Sequence, residues 1–118
     1  MRRLPGILAL VGVATVVAAP VGDAATRPVR KVVTVHDNYY SPAKLTIPKN
    51  STVVWKWPAD AGDVHDVKLG KGPKGAKSFW SEPGAAGYSF KRKLTVAGTY
   101  RIVCSLHEEM KMTITVRR

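Results

Sequence analysis

The feature that most constrains the fold of this 118-residue chain is a succession of short segments with β-strand alternation, separated by turn residues. Val33 and Val35 alternate with polar neighbours, the pattern of a strand that is buried on one face. Lysines recur at every third position from Lys68 to Lys77, but the glycines and proline between them rule out a helix there. No stretch after residue 24 has a sustained helical period with capping residues. We therefore predict an all-β domain.

The alternation and the turn residues place the individual strands. The candidate strands cover residues 30–36, 45–47, 52–57, 64–69, 88–96, 99–104 and 111–116. Turn or loop residues occupy positions 37–38, 41–42, 48–51 and 70–75. About seven or eight short strands with regular turn signals indicate an antiparallel β-sandwich.

The first 24 residues predict a secretory signal peptide. Arg2 and Arg3 precede an apolar run from Leu4 to Ala19, and Gly22 and Ala24 are the small residues that favour cleavage after Ala24. The run is slightly short for a retained membrane anchor, which needs about 20 apolar residues. We therefore expect one exported domain, residues 25–118, that is periplasmic or secreted and has no integral membrane segment.

The exported part is strongly basic. It has 17 lysine and arginine residues against 7 acidic residues, which gives a net charge of +10. Such a charge favours acidic partners or anionic surfaces. The few aromatic residues do not form stacking platforms between the basic residues, so we do not expect nucleic acid binding.

The densest group of potential metal ligands begins at the single cysteine, Cys104. His107, Met110 and Met112 follow in the same short segment, and His65 lies about forty residues upstream. Thiolate, imidazole and thioether groups suit copper better than magnesium or calcium, which prefer oxygen. Two histidines, one cysteine and a weak axial methionine are the ligand set of a blue-copper electron-transfer site. One cysteine cannot form an internal disulfide, so its thiol is available as a ligand.

The exported part resembles the small cupredoxins, the plastocyanin and amicyanin group of blue-copper proteins, over its whole length. The similar segments are YSPAKLTI at 40–47, VVW at 53–55, GTY at 98–100 and CSLH at 104–107, together with the strand assigned to His65. The resemblance implies an eight-stranded Greek-key sandwich with one copper ion near one end. It also implies that His65 and His107 supply imidazole nitrogens, Cys104 the thiolate, and a methionine the long axial bond.

Two methionines are candidates for that axial position. Met112 lies five residues after His107, as in plastocyanin, whereas Met110 lies three residues after it, as in the shorter amicyanin loop. In the family the ligand methionine lies six residues before the valine that closes the last strand pattern, which is Val116 here. The resemblance therefore favours Met110 and places Met112 in the strand core.

Two departures from the family pattern lie beside the expected ligands. Asp66 follows His65 where the family commonly has asparagine, and an ionised carboxylate can accept a backbone N–H but cannot donate. We expect this change to affect reduction potential and copper affinity. Glu108 and Glu109 place negative charge beside His107, the imidazole expected to reach the surface. They either steer docking or are solvated loop carboxylates.

Two functions that both use copper remain open at this point. The first is a one-electron carrier, a monomer that exchanges electrons with redox partner proteins outside the cytoplasm through His107. The second is a copper-handling protein that binds or delivers the metal without a dedicated redox partner. An enzyme is not expected, because multicopper oxidases need paired His-x-His motifs and the three histidines form none. The remaining histidine, His36, is expected to be structural.

Overall fold

The computed structural model describes residues 6, 9–15 and 26–118. Most of the predicted signal peptide and its cleavage site after Ala24 lie outside the described residues. Among the described residues, no helix has the length and apolar composition needed to cross a membrane. The eight described strands are β1 Arg30–His36, β2 Tyr39–Ser41, β3 Lys44–Pro48, β4 Ser51–Lys56, β5 Lys68–Lys71, β6 Ser89–Leu94, β7 Gly98–Cys104 and β8 His107–Arg117. The predicted all-β sandwich is confirmed.

The strands form two four-stranded sheets. Their orders are β2-β1-β4-β6 and β3-β8-β7-β5. The β1–β4 and β3–β8 pairs are parallel, and the other four pairs are antiparallel. Alternation predicts strands without predicting their direction, because a strand that buries one face shows a period of two in either kind of pair.

The core lies between the two sheets and is filled from alternate positions of both. Trp55 of β4 is fully buried. Its ring centroid lies 6.1 Å from that of Phe79 and 5.9 Å from that of Phe90, the spacing of tilted aromatic pairs. Ile102 of β7 and Ile114 of β8 are also fully buried. Burying each such side chain contributes about 1.5–3 kcal/mol to folding, so this core is what holds the ends of the strands in place.

The segment that carries His65 is less regular than the sequence predicts. The predicted strand at 64–69 is replaced by β5 at Lys68–Lys71, which extends into the predicted loop. His65 instead forms an isolated bridge with Gly84, with N–H···O distances of 3.0 and 2.8 Å. The three residues from His65 to Val67 are all buried, so their side chains do not alternate between core and solvent as in a half-buried strand.

The last strand begins earlier than predicted. β8 starts at His107, and only Ser105 and Leu106 separate it from β7. The pairing steps from Val103–Lys111 directly to Cys104–His107, so residues 108–110 form a bulge in β8. Bulges of this kind turn side chains to new directions and often lie next to functional sites.

Candidate metal centre

Three potential ligands meet at one end of the sandwich. Cys104 is the last residue of β7, and His107 is the first residue of β8, directly opposite it. His65 arrives from the connection between β4 and β5, where its bridge to Gly84 fixes the backbone. The cysteine and His65 are buried, whereas the side chain of His107 is 26% exposed.

The donor atoms of these three residues are spaced as in a metal site. Nδ1 of His65 lies 3.2 Å from Nδ1 of His107, which lies 3.5 Å from Sγ of Cys104. All three donor atoms lie within 4.8 Å of one another. In a tetrahedral site with the bond lengths of protein zinc sites, two nitrogens lie about 3.3 Å apart, and a nitrogen and a sulfur about 3.6 Å. The cluster therefore fits a small, tightly coordinated metal ion.

Both imidazoles also contact a carboxylate on the side that faces away from the cluster. His65 Nε2 lies 2.9 Å from Asp37 Oδ1, and His107 Nε2 lies 3.2 Å from Asp63 Oδ2. Histidines that bind metals usually donate their second N–H to such an acceptor, which orients the ring and raises its basicity. The outward contacts thus leave both Nδ1 atoms available to the centre.

Asp66 connects the His65 segment to the turn that follows Cys104. Its backbone N–H donates to Sγ of Cys104 at 3.5 Å. Its carboxylate accepts the backbone N–H of Ser105 at 2.7 Å, and also the Ser105 hydroxyl and the Trp80 indole N–H. Burial raises the pKa of this carboxyl, but the hydrogen bonds from Ser105 and Trp80 outweigh it and leave the pKa below its ordinary value.

The two candidate methionines have different surroundings, although both are buried. Met112 is paired with Ile102 in the regular part of β8, and its sulfur accepts the Trp55 indole N–H at 3.3 Å. Met110 lies in the bulge, next to the Cys104–His107 pair along the hairpin. Met112 is therefore occupied by the core, whereas Met110 is buried at the point where β8 reaches the cluster.

The sequence alone did not identify Asp37, Asp63 and Trp80 as neighbours of the centre. The sequence predicts Asp37 only as a turn residue and assigns no part in the centre to Asp63 or Trp80. No spacing links these residues to the histidines, since they come from separate connections. Trp80 is 58% exposed, and the ammonium of Lys68 lies 4.3 Å from its ring centroid. His36, expected to be structural, stacks on Tyr39 with a centroid distance of 4.5 Å.

Charge is distributed unevenly around this centre. The acidic side chains within residues 26–118 are Asp37, Asp60, Asp63, Asp66, Glu82, Glu108 and Glu109. All of them lie in turns, connections or the bulge, and Asp37, Asp63, Asp66, Glu108 and Glu109 contact or directly flank the expected ligands. Of the 17 basic residues within 26–118, 12 lie in the strands; Lys71 and Arg101, for example, are paired between β5 and β7. The protein thus has an acidic end on a basic body.

The model for copper-binding proteins of the plastocyanin/azurin family matches residues 29–117. The chain belongs to this family. Its cofactor is one copper ion, which fits the nitrogen and sulfur donors of His65, Cys104 and His107. No match to this chain is found among curated proteins.

Solved structures of amicyanin variants have the same fold as this family member. A copper(I) form of one variant has a TM-score of 0.65 at 23% identity, with 75% of this chain and 82% of that chain covered. A reduced form of another variant at pH 4 has a TM-score of 0.64 at 23% identity, covering 73% and 80%. A copper-containing nitrite reductase from Thermus scotoductus SA-01 has a TM-score of 0.63 at 26% identity, covering 92% of this chain but only 25% of the enzyme.

Proposed function

We propose that this protein is a type 1 (blue) copper protein that acts as a one-electron carrier between redox partners outside the cytoplasm. The observation that carries the proposal is the cluster of two imidazole nitrogens and one cysteine sulfur within 4.8 Å. Copper held by such a set supplies one-electron chemistry by changing between copper(I) and copper(II). No substrate is transformed, so the protein is not an enzyme.

In this proposal each ligand has a separate structural support. His65 is held by the Gly84 bridge and Cys104 by the end of β7. His107 opens β8, and Met110 supplies the axial sulfur from the bulge. Because the backbones of His65, Cys104 and His107 are paired with neighbouring segments, these three donors are held rigidly. A rigid set limits the rearrangement that accompanies each change of oxidation state.

Electrons leave and enter through the edge of His107, and the surface around it is suited to a protein partner. Val64, Trp80 and Leu106 are exposed apolar side chains at this end. The carboxylates of the acidic end surround them. An apolar centre with a charged rim is typical of a protein docking surface. The net charge of the exported part favours a partner with an acidic surface, whereas the carboxylates beside His107 favour basic groups on that partner at the point of contact.

The same proposal includes export and a monomeric state. Residues 1–24 act as a signal peptide that is removed after Ala24, and residues 25–118 remain as the mature protein. The periplasm or the extracellular space is then the place of function. Neither nucleic acid nor an integral membrane segment has a part in it.

A copper-handling protein is the alternative, and the burial of the ligands makes it the weaker one. Delivery of a metal needs an incoming ligand to reach the ion, but His65 and Cys104 are almost completely buried. Only His107 offers a partly exposed edge. That is sufficient for electron exchange, whereas ligand exchange would require the turn after Cys104 to open.

Addition of copper(II) to the mature chain, followed by visible absorption and electron paramagnetic resonance spectroscopy, separates these functions. The carrier is expected to give an intense blue thiolate-to-copper band and a narrow copper hyperfine splitting. A pale complex would support copper handling, and no binding would refute both. Cys104→Ser should abolish the blue band, whereas His36→Gln, outside the cluster, should keep it.

A further inference from the structure

Asp37 and Asp63 link the two histidines on the outside of the centre through two hydrogen bonds and one ion-pair contact. Asp37 Oδ1 lies 2.9 Å from His65 Nε2 and also accepts the backbone N–H of Asp63 at 3.0 Å. Asp63 in turn contacts His107 Nε2 through Oδ2, while its Oδ1 accepts the backbone N–H of Val64. The connection between β4 and β5 is thereby fastened to the β1–β2 turn and to both rings.

Neighbouring residues restrict the position of the Asp37 carboxylate. A Cβ at position 62 would lie only 3.0 Å from Asp37 Oδ2, so Gly62 leaves room for the carboxylate where it contacts His65. The backbone N–H of Asp63 donates to the other oxygen, Oδ1, which is also the oxygen that contacts His65. Although the Asp37 side chain is half exposed, its contact with His65 is therefore specified by several residues of the fold.

We propose that Asp37 and Asp63 are positioning residues that hold His65 and His107 in the Nε2–H tautomer and so prepare both Nδ1 lone pairs for copper. An ionised carboxylate can only accept a hydrogen bond, so the Nε2 of His65 that is bonded to Asp37 must carry the proton, and the negative charge of Asp63 favours a proton on the Nε2 of His107. Both neutral rings then present an unprotonated Nδ1 to the centre. This proposal rests on the proposed copper site but concerns the metal-free protein as well.

The competing arrangement places a proton between the two rings. Since the Nδ1 atoms are 3.2 Å apart, one ring could donate Nδ1–H to the other. The Nε2 of that ring would then be unprotonated and would face a carboxylate oxygen. Two hydrogen-bond acceptors would thus lie only 2.9 or 3.2 Å apart. The carboxylates thus oppose this arrangement, and in its place two nitrogen lone pairs face each other, which only a cation satisfies.

Nitrogen-15 NMR of the metal-free mature protein at about pH 8 tests the tautomers directly. The expected result is Nε2–H with unprotonated Nδ1 at both His65 and His107. A proton on Nδ1 of either ring would overturn the proposal. His36, whose ring stacks on Tyr39, serves as the internal reference.

Substitution by asparagine removes the constraint with almost no change of shape, because an amide can donate as well as accept. Asp63→Asn should introduce the Nδ1–H form at His107 alone. Asp37→Asn should introduce it at both rings, because Asp37 also holds the backbone of Asp63. Asp60→Asn, in the same connection, is the matched control and should change neither. Unchanged tautomers in both Asp37→Asn and Asp63→Asn would overturn the proposal.

Copper binding supplies a second readout. Each of the two asparagine variants should bind copper(II) roughly 10- to 100-fold more weakly than the wild type, the usual loss for a partner of a ligand histidine. Their reduction potentials should rise, because a nearby negative charge favours copper(II) over copper(I). Wild-type affinity and potential in both would show that the carboxylates do not position the ligands. If the wild type bound no copper, the proposed function would fail, but the tautomer measurement would remain valid.

Discussion

At the scale of single residues, Met110 and Met112 are two residues apart but are expected to differ in function. Met110→Leu should keep copper and raise the reduction potential, because the loss of a sulfur donor disfavours copper(II) more than copper(I). Met112→Leu should leave the potential close to that of the wild type. It should instead lower the free energy of unfolding by about 1–3 kcal/mol, because the buried Trp55 indole N–H loses its acceptor.

Voltammetry and chemical unfolding of the two variants distinguish these roles. A larger change of potential in Met112→Leu than in Met110→Leu would show that the assignment of the axial ligand is wrong.

Tyr40 is a second residue whose effect can be predicted, because its buried hydroxyl donates to the backbone oxygen of Asp66 at 2.6 Å. Tyr40→Phe leaves that oxygen without this donor and should cost about 1–3 kcal/mol of stability. Burial, followed by the charges of Cys104 and Asp66, raises the pKa of Tyr40 far above its ordinary value. The unfolded chain therefore ionises first, so this stability is present below about pH 10 and is lost as the pH rises above it.

Unfolding free energies of the metal-free protein between pH 8 and pH 11 measure this effect. Tyr40→Phe should show a shallower loss of stability above about pH 10 than the wild type. Tyr39→Phe, at a largely exposed ring, is the control and should follow the wild type. Equal slopes for Tyr40→Phe and the wild type would mean that Tyr40 does not remain un-ionised in the folded protein.

At the scale of elements, the centre depends on a hairpin and on one irregular connection. The β7–β8 hairpin brings Cys104 and His107 opposite each other, and its bulge brings Met110 to the same end. In the connection that carries His65, the backbone N–H and the backbone oxygen of His65 both pair with Gly84. The position of the His65 backbone therefore depends on how closely the segment around Gly84 approaches it.

Gly84→Ala tests this dependence. A Cβ at position 84 would lie 2.1 Å from Cδ1 of Tyr88, so either the ring or the bridge must move. We expect a loss of about 1–3 kcal/mol of stability from overpacking, together with weaker copper binding, because His65 is displaced. Gly70→Ala in β5 is the control, because its Cβ would lie 3.4 Å from the nearest atom, the backbone oxygen of Arg101 in β7.

Thermal unfolding of the metal-free proteins measures the change in stability, and competitive copper titration measures the change in copper affinity. If Gly84→Ala lost stability but bound copper as the wild type does, the bridge would not be what positions His65.

At the scale of the whole molecule, the acidic end should determine which small redox partners react fastest, even though the net charge is positive. Charges farther than about 8–10 Å from the reacting edge are largely screened at ordinary ionic strength. The carboxylates near His107 then contribute more to the local field than the lysines on the strands. The electron-transfer rate with a small cationic cobalt(III) complex should therefore fall as salt is added.

Stopped-flow kinetics at several ionic strengths measure this dependence. The double substitution Glu108→Gln and Glu109→Gln should weaken the salt effect, whereas Lys91→Gln on β6 should leave it nearly unchanged. A rate with the cationic complex that rises with salt would mean that the net charge, not the acidic end, governs the encounter.

The sequence by itself determined the local properties of this protein. Alternation predicted the β-strands, the ligand types predicted copper, and the resemblance to the small cupredoxins favoured Met110 over Met112. These inferences depend on side-chain chemistry and on neighbours along the chain, which a sequence contains directly.

Only the tertiary structure decided how distant segments meet. It set the parallel pairs, started β8 at His107 and replaced the predicted strand around His65 with a single bridge. It also brought Asp37 and Asp63 to the outer nitrogens of the two histidines. Such contacts follow from packing two sheets around one core, and no local pattern records which turns then lie at the same end.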